Sequence, residues 1–401
     1  MKICMVSTRH SIDDARIVHK EAKSLIRAGH EVVLLFACNT EYKFLKYDGT
    51  VILDIKGEQG KLFNGIKMYG IPKRQGILGK IFNYFELSNL AIKLKADVYH
   101  VHEPDLSLAV AVRTKKLSKK LFNKRVFIVH DMHEFPLAIP YDHACKYIKV
   151  ITFLFYMIYD YLQMKKVDYV FTANSLVKNY SMMLSYKTNV DVLYNVPSLL
   201  IAPQPQIMSY LNNEKITLCH EGSLTFNRGL KEVISVIEIL RDKVKLKIIG
   251  DIYGAEKKWF NSEVSKRGLS NNIEITGWIN YRDIGKSLHG CNAGLILFRE
   301  CMQNRLSGPP NKLFNYMNAG LPVVSVDFPE MRKVITEEKC GILIKNQSVN
   351  AIVEAINQLI SNPDSILEMG RSGQKAIREK YCWDKMEQYL VSAYEKLEQL
   401  L

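Results

Sequence analysis

Short apolar, β-branched runs alternate with helical spacing along almost the whole chain, and that alternation restricts the fold more than any other feature. In the first half the runs Lys2–Ser7, Glu31–Cys38, Val51–Ile55, Ile66–Ile71, Asp97–His102, Val126–Asp131, Tyr169–Ala173 and Val190–Tyr194 predict strands. Between them apolar residues recur at helical intervals, as at Val18, Ala22, Leu25 and Ile26 before Gly29. Strand–helix–strand repeats of this kind make right-handed units and a parallel sheet, so the class is α/β. The stretch Asn195–Gln206 then carries Pro197, Pro203 and Pro205 and reads as a linker. The pattern restarts at Ile216–Glu221 and continues through Leu246–Gly250, Ile273–Gly277, Gly294–Phe298, Leu321–Val326 and Gly341–Ile344. From Trp383 to Leu401, Met386, Leu390, Ala393, Tyr394 and Leu397 mark one face of a closing helix. The expected division is a first α/β domain over 1–197, a linker over 198–206, a second α/β domain over 207–378 and a final helix over 379–401. A chain of 401 residues is too long for one ordinary core and fits that division.

Composition narrows the function classes. The chain is 47% hydrophobic and 24% charged, ordinary for a water-soluble globular protein. Its net charge of +14 is usually no more than a surplus of surface lysine; the alternatives are an anionic membrane surface, a phosphorylated substrate or nucleic acid. Zinc-finger spacing, arginine-rich tails and RNA-binding aromatic signatures are missing, so nucleic acid ranks last. The eight cysteines show no CxxC spacing, which fits a reducing compartment rather than a disulfide framework or a structural zinc. Met1-Lys2 runs straight into a strand with no leader pattern, and the longest apolar candidate, Val150–Ile158, is too short to span a bilayer. The expected location is cytoplasmic, with peripheral membrane contact as an option. That option rests on the basic run Lys115, Lys116, Lys119, Lys120, Lys124 and Arg125, and on the aromatic and aliphatic segment from Tyr147 to Lys166. A buried helix beside a solvated lysine face explains the same residues equally well.

Two loop-to-helix junctions in the second half suit an anion. In Asn304–Val324, Ser307 and Gly308 keep the loop small and Pro309-Pro310 stop an upstream helix. Asn311 is a suitable N-cap, Lys312–Ala319 is predicted helical, and Gly320 ends it. Free N–H groups, the dipole and Lys312 then converge on one helix start. The turn Gly222-Ser223-Leu-Thr-Phe-Asn-Arg228-Gly229 supplies a second helix start with a cation. Facing one point, Arg228 and Lys312 would bracket a diphosphate. In the first half, His100, His102 and Glu103 form one strand-end cluster, and His130, Asp131, His133 and Glu134 form another. Alternation places His100 with His102, and Asp131 with His133. Such residues hold either a metal or, as the favoured reading, a hydroxylated ligand, so no metal and no cofactor is expected. The dinucleotide fingerprint, the Walker lysine and the GxSxG elbow are missing from the chain.

Taken in order, these motifs resemble the GT-B-fold, retaining, nucleotide-sugar-dependent glycosyltransferases of family four. The start, Asp13-Asp14-Ala-Arg16 through Glu21, Leu25, Gly29 and His30, resembles members that assemble bacterial capsule, exopolysaccharide or O-antigen. Asp97–Asp105, His130–Pro136, Leu193–Pro197, Asn227–Leu230 and Pro310–Val323 follow in family order. The resemblance implies two Rossmann-like, doubly wound domains facing across a cleft, with the last helix crossing back to the first domain. It implies His133, Arg228 and Lys312 as catalytic residues, with His133 on the donor sugar and the two cations on the diphosphate. Gly222, Ser223, Trp278, Ser307, Gly308, Asn311 and Asn315 join Arg228 and Lys312 in donor binding, Trp278 near the base and Asn315 on the ribose. Arg16, His102 and Asp131 fall on the acceptor side. The donor would be a UDP-sugar, a substrate rather than a cofactor, and the acceptor a glycan or lipid-linked saccharide. The chain departs from the family pattern with Ser307 and Asn315 in place of a spaced glutamate pair, Ser223 in place of an arginine, and His10-Ser11 in place of a glycine pair. Those departures keep two alternatives open: a catalytically silent subunit that partners another transferase, and an epimerase acting on nucleotide sugars.

Overall fold

The alternation of strand and helix is realised in the computed structural model, which describes residues 1–45, 49–102, 106–145, 147–185, 187–199 and 215–401, with Ile139 described by its backbone only. Most of the expected linker, from residue 200 on, lies outside the described residues, as do Glu103, Pro104 and Asp105. The chain separates into two compact units. Unit 1 comprises Met1–Leu193 with Met386–Leu401, and unit 2 comprises Tyr194–Lys385.

Unit 1 carries strands β1 (Lys2–Ser7), β2 (Glu31–Cys38), β3 (Lys43–Leu45), β4 (Val51–Asp54), β5 (Lys61–Phe63), β6 (Ile66–Pro72), β7 (Val98–His102), β8 (Phe127–Met132), β9 (Tyr169–Thr172) and β10 (Asn189–Val192). Among the described residues they form a sheet in the order β10-β9-β8-β7-β1-β2-β6-β5, parallel except for β5 against β6. β1, β7 and β8 sit in its middle and are buried on both faces, as strands covered on both sides must be. The expected strand at Val51–Ile55 does not join this sheet. As β4 it pairs antiparallel with β3, a strand not expected from the sequence. No β4 side chain is fully buried, so the run never met the burial that a central strand requires. Three helices matter below: α1 (Gly76–Leu94), α2 (Leu106–Phe122) and α3 (Lys149–Met164).

Unit 2 carries β11 (Ile216–Glu221), β12 (Val244–Ile249), β13 (Ile273–Ile275), β14 (Ala293–Ile296), β15 (Val323–Val326) and β16 (Gly341–Ile344). They make an all-parallel sheet, β13-β12-β11-β14-β15-β16. Helix α4 (Leu230–Ile239) follows β11, and α5 (Asn311–Asn318) precedes β15. The cap of α5 differs from expectation. Pro310, in extended conformation, takes the N-cap position and Asn311 becomes the exposed first helical residue. Proline's fixed φ enforces that boundary, one residue earlier than the side-chain cap implied. Gly320 ends the helix at φ 74, as expected. Helix α6 (Trp383–Glu398) returns from Met386 on to unit 1. Its stripe of Met386, Leu390, Ala393, Tyr394 and Leu397 is buried throughout, each large apolar side chain contributing roughly 1.5–3 kcal/mol.

Candidate functional site

In unit 2 the carboxyl ends of parallel strands gather the charged residues, as the topology requires. β11 ends in His220 and Glu221, both buried. The chain turns at Gly222 and Ser223, makes one tight turn at Phe226–Arg228, and enters α4 through Gly229 at φ 83. A side chain at 229 would meet Leu297 Cβ at 2.5 Å and its carbonyl at 2.8 Å, so only glycine lets the α4 start lie against the loop after β14. Arg228 is held by its own loop: Nη1 donates to the Ser223 carbonyl at 2.8 Å.

Helix α5 presents Lys312, Asn315 and Tyr316 on one face at i, i+3 and i+4. Lys312 Nζ lies 3.2 Å from His220 Nε2. Asn315 Nδ2 donates to Glu221 Oε1 at 2.8 Å, and the Glu221 N–H donates to Tyr316 Oη at 2.8 Å. Burial lowers the Lys312 ammonium to about 7, with Arg228 adding repulsion and Glu221 opposing it. Burial, then Lys312 and Arg228, hold His220 well below the ordinary histidine value, so it is neutral. Glu221 is raised by burial, against Lys312 and Asn315. Its second oxygen, Oε2, is buried with no hydrogen-bond partner in the structure. Lys312 thus faces His220 and Glu221, with Arg228 close enough to weaken its ammonium.

The predicted residues of this half therefore divide. Arg228 lies close enough to Lys312 to lower its ammonium, with Gly222 and Ser223 under the guanidinium. Asn315 is tied to Glu221, and the Ser307 hydroxyl donates to the Gln303 carbonyl at 2.5 Å, ending a short helix over Met302–Leu306. Gly308 follows it, half-buried, in the loop leading to α5. Trp278 is 63% exposed just beyond Gly277, at the carboxyl end of β13. His220 and Glu221 were missed because both sit in a strand read as uniformly buried. The one available signal was the pair of polar residues closing an otherwise apolar run.

Unit 1 holds a second cluster, centred on Arg16. Its Nε donates to Glu21 at 2.8 Å and to Asp131 at 2.9 Å, Nη2 donates to Asp131 at 2.6 Å, and Nη1 donates to the Leu193 carbonyl at 2.8 Å. His133 Nε2 lies 2.9 Å from Asp131 Oδ2, and His102 Nδ1 lies 3.4 Å from the same oxygen. His100 stacks on His102 at 4.6 Å and pairs with Tyr394 Oη of α6 at 2.9 Å. His10, paired with Asp14, packs on the His133 ring at 4.7 Å. Burial lowers His102 to about 4 and His100 further, so both are neutral. Burial opposes ionisation of Asp131, but Arg16, His133 and His102 together outweigh it and hold the carboxyl well below its usual range. Glu21, raised by burial and by Asp131, takes the opposite course. Nearby, burial and Arg16 lower the buried Lys20 to about 7.

Ligand atoms of Glu21, His100, His102 and Asp131 lie within 4.8 Å of one another, a spacing that a metal ion also uses. The Arg16 guanidinium supplies a positive charge to both carboxylates there, while Glu21 Oε2, His100 Nε2 and His102 Nε2 are buried without a hydrogen-bond partner. Arg16, His102 and Asp131 are buried, while His133, 13% exposed, and His10, 22% exposed, reach the surface. Glu21 stands in the opening motif of the chain, where the sequence alone assigns it no site role; Ile17–Ala22 winds as a π-helix and buries it.

Both halves match known families. The model for Glycosyltransferase Family 4 matches residues 15–196, and that for Glycosyl transferases group 1 matches residues 208–376. An uncharacterized glycosyltransferase of Methanocaldococcus jannaschii is 24% identical over 242 residues, 58% of this chain and 59% of that protein. Another from Haemophilus influenzae is 23% identical over 190 residues, 46% of this chain and 49% of that protein. The chain thus spans between about half and three-fifths of the curated relatives it matches. Among solved structures, sucrose-phosphate synthase from Thermosynechococcus elongatus superposes with a TM-score of 0.74 at 14% identity, covering 100% of both chains. The Anabaena protein HepE in complex with UDP-glucose gives 0.72 at 12% identity, covering 99% of this chain and 100% of that one. These likenesses establish the fold: two Rossmann-like domains of the GT-B class.

Proposed function

We propose that this chain, which carries a family 4 domain followed by a group 1 glycosyltransferase domain, moves a sugar from a nucleoside-diphosphate sugar to a saccharide acceptor with retention of configuration and without a metal ion. The observation that carries the reading is the pair of cations at the carboxyl edge of the unit 2 sheet, where Lys312 lies beside both Arg228 and Glu221 and two helix starts supply N–H groups. A UDP donor is supported by HepE, which was solved with UDP-glucose.

In the proposed step the bond between the anomeric carbon and the diphosphate breaks, and the acceptor oxygen bonds to the same face. The acceptor proton passes to the departing phosphate oxygen. Negative charge grows on the diphosphate, and Arg228, Lys312 and the helix-start N–H groups stabilise it, the service a divalent cation gives elsewhere. Gly222, Ser223, Gly308 and Asn311 border the phosphates, with Ser307 fixing the loop. Trp278 stacks near the base. Since the Asn315 amide is engaged by Glu221, the ribose hydroxyls fall to Glu221 Oε2 with Asn315 as its support. His133 contacts the donor sugar; Arg16, Asp131 and His102 stand behind it and hold its ring on the acceptor side. The acceptor is a glycan or lipid-linked saccharide of a bacterial surface polysaccharide.

Calorimetry against UDP, GDP, ADP and CMP is expected to show binding of UDP first. Anomeric configuration of the transferred sugar by NMR, with and without EDTA, is expected to show retention and no loss on chelation. A chain that binds no nucleoside diphosphate would end the reading.

A further inference from the structure

Helix α3 is built inside out. Of its sixteen residues Asp160 and Met164 are the buried ones, and Asp160, the helix's acid, points inward to accept a hydrogen bond from Tyr180 Oη at 2.8 Å. Facing water are Val150, Ile151 and Phe155, 69%, 68% and 64% exposed, with Leu154 and Ile158 beside them. A surface helix in a soluble core does the reverse. The first turns of α1 share the inversion: Ile77 and Leu78 are 80% and 72% exposed, Ile81 and Phe82 are also exposed, and Asn83 is buried. These residues belong to unit 1, and α2 packs against both helices. A cavity of about 440 Å³ opens between the three, walled by Leu87, Leu106, Ala109 and Tyr159 and rimmed by Arg9, Lys73, Arg74 and Lys80.

We infer that α1 and α3 seat unit 1 on an anionic lipid bilayer. Charge and the order of residues along α3 select that occupant. Tyr147 and Lys149 stand at one end, Tyr161, Lys165 and Lys166 at the other, and the aliphatic and phenylalanine side chains lie between. Tyrosines and lysines take those end positions where an apolar face enters acyl chains and its flanks remain among head groups. Lys165 Nζ already lies over the Tyr161 ring at 4.1 Å. Neighbouring α2 carries Arg113, Lys115, Lys116, Lys119 and Lys120 and no acid, so a second copy placed on this face would meet like charge, whereas anionic lipid complements it. No described helix is long and apolar enough to cross a membrane, and α3 spans only about 24 Å, so it lies in the interface plane. The inference does not depend on the transfer activity, since it concerns neither charged cluster.

The test is flotation of the full chain with phosphatidylcholine vesicles and with vesicles containing phosphatidylglycerol, at low and high salt. Binding to the anionic vesicles at low salt, weakened by high salt, is expected. The exposed-site variants Ile151→Glu and Phe155→Glu should lower bound protein by about tenfold or more with melting temperature and UDP binding unchanged. Absence of flotation on either vesicle would overturn the inference, as would a variant that floats like the parent. A dimer in sedimentation that Ile151→Glu dissolves would overturn it in favour of self-association. UDP binding, read in the same samples, keeps this outcome separate from the fate of the transferase reading.

Discussion

The two charged clusters use the same residue types and end in opposite electrostatic states. In unit 1 the Arg16 guanidinium lies between Asp131 and Glu21, and His100 and His102 beside it are neutral. In unit 2 Lys312 lies beside both Arg228 and Glu221, and one Glu221 oxygen is already bonded to Asn315. Burial acts on both sets, yet it leaves Asp131 firmly ionised and the Lys312 ammonium weakened to about 7. In the first cluster Arg16 gives both carboxylates a cation, although Glu21 Oε2, His100 Nε2 and His102 Nε2 have no hydrogen-bond partner. In the second, two cations lie together, and an added anion would offset them. A cation weakened by another cation favours an anionic ligand, while an arginine held between two carboxylates favours a scaffold, here one that carries His133.

The comparison is broken most severely at Arg16. Arg16→Met leaves Asp131 and Glu21 buried without their cation, and unfolding by denaturant should show a loss of about 3–5 kcal/mol. A loss under about 1 kcal/mol would mean that the unit 1 cluster is no scaffold. Arg228→Ala should do the opposite. It removes a repulsive neighbour of Lys312, so stability is kept, while turnover falls by about 10²–10³-fold for want of charge stabilisation on the leaving diphosphate. Near-parental turnover would place the diphosphate elsewhere.

That contrast was only partly legible in the sequence. Strand and helix periodicity exposed both sheets, and the Met386–Leu397 stripe exposed the closing helix, because these depend on which residues face a core. Arg228 and Lys312 stood out because glycine and proline mark loop-to-helix junctions. What stayed hidden depends on register between distant segments. Glu221 reads as a strand residue until β11 is laid against α5, and Asn315 then proves to be its partner. Ser307 looked available to a ligand, but its hydroxyl is spent on its own helix. β3 and β5 are three-residue strands, too short for any period to show.

Glu221→Gln sharpens the comparison from within unit 2. If Oε2 accepts a ribose hydroxyl, the variant should bind UDP about tenfold or more weakly, a hydrogen bond to a charged group being at stake. Inorganic pyrophosphate, which has no ribose, should bind as well as before or more tightly, since a negative charge has gone. Equal weakening of both ligands would show that Glu221 supports the phosphate site instead.

The smallest effect tests the paired cations most directly, through pH. A UDP-sugar keeps its diphosphate charge near neutrality, so any pH dependence of its affinity in that range belongs to the protein. Lys312 in the empty site titrates at about 7, and a bound diphosphate favours its charged form and raises that value. Below pH 7 the ammonium is already charged, and affinity is at its full level. Above it, binding must take up a proton, so affinity should fall by up to about tenfold per pH unit until the bound-state value is reached. His220, neutral throughout this range, adds nothing to the slope. Lys312→Arg should flatten the profile while keeping affinity, because a guanidinium stays charged. Lys312→Met should flatten it at a weaker level. A parental profile without slope between pH 7 and 9 would mean that Lys312 already has its counter-charge, and the two clusters would then be alike.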